Sequence, residues 1–336
     1  MRYFTVFILF LGIIGFLQIK TSAERNIKYF YPDWYRISKN LNEAAKEGIS
    51  NVGLIVGNSY TYTGVNPVLL DRSDIKYYNL ARGGTSSVES MIWLIRNKVF
   101  PNQLLIELNS THLSDRYFGK FSATPTNNQD KWFDIFKKGI EIDLRYFSSR
   151  YLPFVNYRIN AIEIIKVLRA GGLYKLIQYM FLPDKRTVEH FKKVRVKHID
   201  KGFMEDHRVF TKKEIEERIE EHTSDLDTYA DKVPYSKYTA KILTQLSEQF
   251  YNNGTRVIFF RLPKNEAIIS TENEVLFHQF EMARSLARDN AKVDYLDMTD
   301  KSILKIFTSG LSDGAHWLPE GAARISAFFA KKLETI

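Results

Sequence analysis

The stretch "NVGLIVGNSYTYTG", residues 51–64, decides the fold. An apolar run, broken only by Gly53, enters Gly57-Asn58-Ser59 and then a polar, aromatic segment. A short apolar run without polar alternation, ended by a glycine, is what a strand buried on both faces requires. A tight turn at Gly57 ends such a strand and lifts Ser59 clear of the sheet. In open parallel sheets, ligands sit beyond the carboxyl ends of the strands. Ser59 therefore stands where chemistry is done in that architecture.

The same pattern recurs outward from this stretch. "IKYYNLA" (75–81), "QLLIELN" (103–109), "TRVIFFRLP" (255–263) and "KVDYLDMT" (292–299) read as further strands. Helical spacing occupies "SSVESMIWLIRNKV" (86–99), "YTAKILTQLSEQFYNNG" (238–254), "ENEVLFHQFEMARSLARDN" (272–290) and "LPEGAARISAFFAKKLETI" (318–336). Ser86 or Ser87 caps the first of these, Gly254 stops the second, and Pro319 sits in the first turn of the last. Strands alternating with helices of ten or more residues predict an α/β fold with a central parallel sheet and helices on both faces. Between 113 and 240 the rhythm breaks into an aromatic-rich, mostly helical stretch and then a highly charged one. The expected organisation is a leader (1–23), an α/β domain (24–112 and 241–336) and a helical insertion (113–240). The insertion reads as a lid, a membrane-facing surface or a docking surface. Its aromatic run, with Trp132, reads as insertion core or as a sugar-stacking platform.

Composition narrows the function classes. The 336 residues are 44% hydrophobic and 26% charged, an ordinary globular balance. The absence of cysteine excludes disulfides, thiolate metal sites, a cysteine nucleophile and a cysteine-linked lipid anchor. "MRYFTVFILFLGIIGFLQIK" carries Arg2, an apolar run and Lys20, followed by small residues in "TSA". This is the pattern of a signal peptide or a signal anchor, with a buried N-terminal helix as the alternative. It predicts an extracytoplasmic chain, in the periplasm or at the cell surface, secreted or membrane-anchored through that helix. The net charge of +9 suits anionic head groups or an acidic cell-wall polymer. A nucleic-acid partner is not expected, because basic residues are scattered among acidic ones and no nucleic-acid motif stands out.

A serine hydroxyl needs a base, and the base needs a third group to orient it. Of seven histidines, His316 follows a predicted strand end in a glycine-rich loop, "SGLSDGAHW" (309–317). Asp313 precedes it by three residues and can lie beside it. Ser59, His316 and Asp313 are the candidate catalytic residues. Acyl transfer also needs donors aimed at the developing oxyanion. The Ser59 and Gly84 backbone N–H groups and the Asn109 side chain are the candidates. Arg261, on an apolar strand, reads either as a substrate-binding cation or as the partner of a buried acid such as Glu107. His112 and His207 read as surface residues.

These residues carry a resemblance. "VGNS" resembles the first block of the SGNH/GDSL hydrolase superfamily. "NLARGGTS" is similar to its second, with Asn79 on the family asparagine, Gly84 on the oxyanion glycine and Ala81 replacing the first glycine. "DGAH" looks like its fifth, Asp-x-x-His. The third block departs: "ELNSTH" stands where the family has Gly-x-Asn-Asp, and Asn109 or Thr111 falls near its asparagine. The resemblance implies the SGNH fold, a flavodoxin-like three-layer sandwich. A leader and an insertion make the chain similar to the extracytoplasmic members that work with membrane-bound O-acyltransferases, of the alginate O-acetylation and DltD types. That resemblance implies a serine O-acyltransferase, with acetyl as the group, acting on an extracytoplasmic polysaccharide beside a membrane-bound O-acyltransferase partner. No cofactor and no metal are implied. An esterase or deacetylase with the same triad, a non-catalytic scaffold for such a partner, and a basic membrane-surface protein without a site are the alternatives.

Overall fold

The computed structural model describes residues 32–82, 87–108, 169, 196–198, 200–232 and 237–336. The chain divides into two compact units, and Ile37–Gly139 with Arg195–Ile336 form the one considered below. Residues 1–23, read above as a leader, and Gly84, Asn109, Thr111, His112 and Trp132 lie outside the described residues. Among the described residues no helix is long and apolar enough to cross a membrane.

Five strands form one parallel sheet: β1 (Val52–Val56), β2 (Lys76–Asn79), β3 (Gln103–Glu107), β6 (Arg256–Arg261) and β7 (Val293–Asp297). Their order is β2-β1-β3-β6-β7. Counted along this sheet alone, that is 2-1-3-4-5, one of the two common doubly wound orders. Every residue of β1 and β3 is buried. This is why both read as unbroken apolar runs rather than as alternations.

Alternate side chains leave the sheet on opposite faces. On one face, Ile55, Ile258 and Phe260 join the core with Trp317, Ile325 and Phe329, the last two from helix α9 (Pro319–Glu334). The rings of Phe260 and Phe329 lie 4.9 Å apart. The other side is covered by α3 (Ser87–Arg96), α5 (Lys237–Asn252) and α7 (Phe277–Asp289), which bury Met91, Phe250 and Phe280. Gly53 has its own reason to be a glycine. A Cβ there would meet the Tyr77 ring of β2 at 2.3 Å.

Three local features differ from the sequence expectation. Helix α1 (Pro32–Glu47) precedes the sheet and was not anticipated. The single helix expected over 272–290 is two, α6 (Glu266–Val275) and α7, joined at Leu276. Helix α6 starts early because the Asn265 side chain caps it, accepting from the Ala267 N–H at 3.0 Å. Third, the span assigned to a helical insertion holds an antiparallel pair, β4 (Val196–His198) and β5 (Met204–Asp206), followed by α4 (Lys212–Lys232). Residues 195–232 belong to the same compact unit as the sheet. Helix α4 lies against α6, and β5 against the short helix α2 (Ser59–Gly64).

Candidate active site

The site lies where β1 ends. Strand order reverses at β1, with β2 on one side and β3 on the other, the place where doubly wound sheets open a crevice. Gly57 lets the chain turn there. A Cβ on it would meet Thr61 Oγ1 at 2.5 Å and Glu107 Oε2 at 2.7 Å. Asn58 then caps α2, its side chain accepting from the Tyr60 N–H at 2.9 Å. Its own N–H donates to the buried Glu107 carboxylate at 3.2 Å. Ser59 follows as the first residue of α2, half-buried. Its N–H has no acceptor among the described residues, as the start of a helix allows.

Asn79 ties α2 down at its far end. Its amide donates to Thr61 O at 3.0 Å and to Val65 O at 2.9 Å. Its side-chain oxygen accepts from the Ala81 N–H at 2.9 Å. The helix that carries Ser59 is thus held by β3 at its start and by β2 at its end.

The partner loop spans Thr308–Leu318. Ser312 N–H donates to His316 O at 2.8 Å, and Leu318 N–H to Gly310 O at 2.8 Å. Gly314 adopts φ +88°, and Gly310 approaches the backbone of Gly321 so closely that a Cβ would be 2.5 Å from its Cα. These two glycines meet fixed geometric demands rather than supplying looseness. Trp317, fully buried, lies against Gly64 at the end of α2. The loop and the serine helix are therefore in direct register.

That register brings three side chains into line. His316 Nε2 is 3.0 Å from Ser59 Oγ, across 257 residues of chain. His316 Nδ1 is 2.8 Å from Asp313 Oδ2. Asp313 Oδ1 accepts from the backbone N–H groups of His316 at 2.8 Å and Ala315 at 3.2 Å. With its Nδ1 proton donated to Asp313, the imidazole leaves Nε2 to accept from the serine. Burial alone would raise the Asp313 carboxyl. The hydrogen bond and charge of His316, with the two backbone donors, instead hold it well below the usual carboxylate range. Asp313 is fully buried, whereas the His316 side chain is 15% exposed. The carboxylate end of this chain of contacts is thus the more deeply buried one.

The Tyr60 ring supports His316, centroid to centroid at 4.9 Å, and Lys264 Nζ lies 4.5 Å from the Tyr60 ring centroid. Lys264 itself is buried against Glu272. His222, from α4, stands beside the relay. Its Nδ1 is 3.4 Å from the Tyr60 hydroxyl, and its ring centroid is 6.5 Å from that of His316. Burial pushes its pKa down, Asp313 pulls it up, and His316 and Lys264 push it down further. Arg218, also from α4, lies 4.0 Å from Asp313 Oδ2 and stacks on Phe210 at 4.3 Å.

Ser59, Asp313 and His316 are brought together. Arg261 is not among them; of the two readings open from the sequence it takes that of a cation paired with buried acids. It is 2% exposed, pairs with Asp297 at 3.3 Å and Glu272 at 3.8 Å, and stacks on Phe280 at 3.8 Å. Its acids are these two rather than Glu107, and it faces the interior. His207 is largely exposed and pairs with Glu205, as a surface histidine does. His222, Glu107 and Tyr60 were missed as parts of this neighbourhood. An acid closing the apolar run "QLLIE" was the available signal for Glu107. Nothing in the charged segment around His222 marked it. No protein-family model matches the sequence, and no characterised protein matches it significantly.

Proposed function

We propose that the protein is a serine acyl-transfer enzyme of SGNH type, with Ser59 as nucleophile, His316 as base and acid, and Asp313 as its orienting carboxylate. The observation that carries this reading is the Ser59–His316–Asp313 chain of contacts at 3.0 and 2.8 Å, set at the carboxyl end of a parallel strand. In the first half-reaction Ser59 Oγ bonds to the acyl carbon while its proton passes to His316 Nε2. The imidazolium gains stabilisation from the ionised Asp313. The Ser59 N–H is aimed as a donor to the oxyanion, and Gly84 and Asn109 are the further donors the motif comparison offers. The donor's leaving group takes the proton from His316 and departs, leaving an acyl ester on Ser59. In the second half, an acceptor hydroxyl gives its proton to His316 and bonds to the acyl carbon; the bond to Ser59 Oγ then breaks and His316 returns the proton to that oxygen.

The acceptor we favour is a hydroxyl of an extracytoplasmic polysaccharide, with acetyl as the group and a membrane-bound O-acyltransferase as donor partner. This part rests on the leader pattern and the motif resemblance. The test is covalent capture. The full chain, treated with a fluorophosphonate, should gain one adduct, mapped to Ser59 by peptide mass and lost in His316→Ala. A well-folded protein that takes no adduct would remove the activated serine from the reading.

A further inference from the structure

We infer that the relay doubles as a zinc site, in which His222, Asp313 and His316 hold one divalent ion that silences Ser59. One ligand atom from each of the three residues lies within 4.8 Å of the others. Two imidazoles and one carboxylate form a donor set that suits Zn²⁺, with a fourth position left for water. Tetrahedral ligands at zinc's usual bond lengths sit about 3.3 Å apart. The Asp313–His316 pair, at 2.8 Å, must open by about half an ångström, and the widest pair must close by about 1.5 Å. His222 stands on α4, outside the sheet, so the closure falls on that helix rather than on the strands.

The second nitrogen of each ring is already accounted for. The Tyr60 hydroxyl faces His222 Nδ1, leaving its Nε2 to ligate. Because Asp313 faces His316 Nδ1, an ion shared by those two groups takes the place of the Nδ1 proton. The neutral ring then keeps its one proton on Nε2, which can no longer accept from the Ser59 hydroxyl. The neighbouring cations do not forbid it. Lys264 is ion-paired with Glu272, and Arg218 is 39% exposed, so solvent screens its charge.

The binding does not depend on the acyl-transfer reading, while the silencing of Ser59 does. The experiment therefore has two arms. Zinc chloride is titrated against a chromophoric chelator into the full-length Ser59→Ala protein and further variants made on it. One zinc per chain is expected. His222→Gln and Asp313→Asn should each weaken binding at least about a hundredfold, beyond the loss of a mere supporting group. Arg218→Gln should tighten it by up to about fivefold, the worth of a half-exposed ion pair. A gain of affinity cannot come from misfolding, which guards against a variant that simply unfolds. No zinc bound, or zinc bound equally by the His222 and Asp313 variants, overturns the site. In the second arm, zinc should abolish fluorophosphonate labelling of the parent and EDTA should restore it. Zinc bound with labelling undiminished overturns the placement of the ion in the relay. If Ser59 labels under no condition, the acyl-transfer reading fails and the chelator arm still decides the metal.

Discussion

Gly64 and Trp317 give the sharpest test of how the fold sets the relay. A Cβ added at Gly64 would meet Trp317 Cδ1 at 2.5 Å, Nε1 at 2.8 Å and Leu262 Cδ1 at 3.2 Å. The indole is fully buried and has no free direction in which to swing. Ordinary contact begins near 3.4 Å, so the ring and the backbone carrying it must retreat by roughly 0.9 Å (3.4 − 2.5). His316 is the preceding residue, and its Nε2 now stands 3.0 Å from Ser59 Oγ. A shift of about 1 Å in a reacting geometry costs on the order of a hundredfold in rate. Overpacking itself costs about 1–3 kcal/mol, reduced by up to ~1 kcal/mol because alanine is the better helix residue. Gly64→Ala should therefore remain folded, melt a few degrees lower, and label with fluorophosphonate about a hundredfold more slowly. The assay is the pseudo-first-order rate of adduct formation by intact mass, with a melting curve on the same sample. Adding Trp317→Phe to this variant makes room for the methyl group and should recover much of the rate. Labelling at the parental rate in a protein that melts lower would refute the claim that Trp317 sets the distance between base and nucleophile.

Other outcomes follow from the same contacts. Asp313→Asn should lower the labelling rate by about 10³–10⁴-fold, because an amide no longer selects the Nδ1–H form of His316. The Asp313 carboxyl is held well below its ordinary value of about 3.9, so the stability this supplies is fully present above pH 4 and lost as pH falls through the lowered range. The melting-point difference between parent and Asp313→Asn should accordingly shrink as pH falls below about 4, as a melting series across pH would show. Asn79→Ala removes the amide donor from the Val65 carbonyl and leaves the Thr61 carbonyl with its bond from the Val65 N–H, and should cost about 1–3 kcal/mol in denaturant unfolding. Lys264→Met strips the buried Glu272 of its nearest cation and should cost about 3–5 kcal/mol, while the added change Glu272→Gln should return part of it.

The parts legible in the sequence are those dictated by short-range chemistry. β1 and β3 are buried on both faces, so their apolar runs announced a covered parallel sheet, and the glycine ending β1 announced a turn. Asp313 and His316 are three residues apart, so their pairing was a local fact. The meeting of His316 with Ser59 could be argued because both were placed beyond the carboxyl ends of strands in one sheet. Arg261 shows where this reasoning fails. A cation on an apolar strand signals an acid nearby, but not which one, and the residues that pair with it lie 36 and 11 positions further along the chain. His222 shows the other limit. It sits in a helix whose sequence, "KKEIEERIEEHTSD", is dominated by solvated charge, and its neighbours Tyr60 and His316 are 162 and 94 residues away. Only the seating of α4 against α6 brings it to the relay, and no periodicity encodes that seating. Gly314 is the hinge of the same argument. Its missing side chain is required because Ile219 of α4 lies where a Cβ would stand, 2.6 Å away. The glycine that shapes the histidine loop is also the one that admits the helix bearing the second histidine.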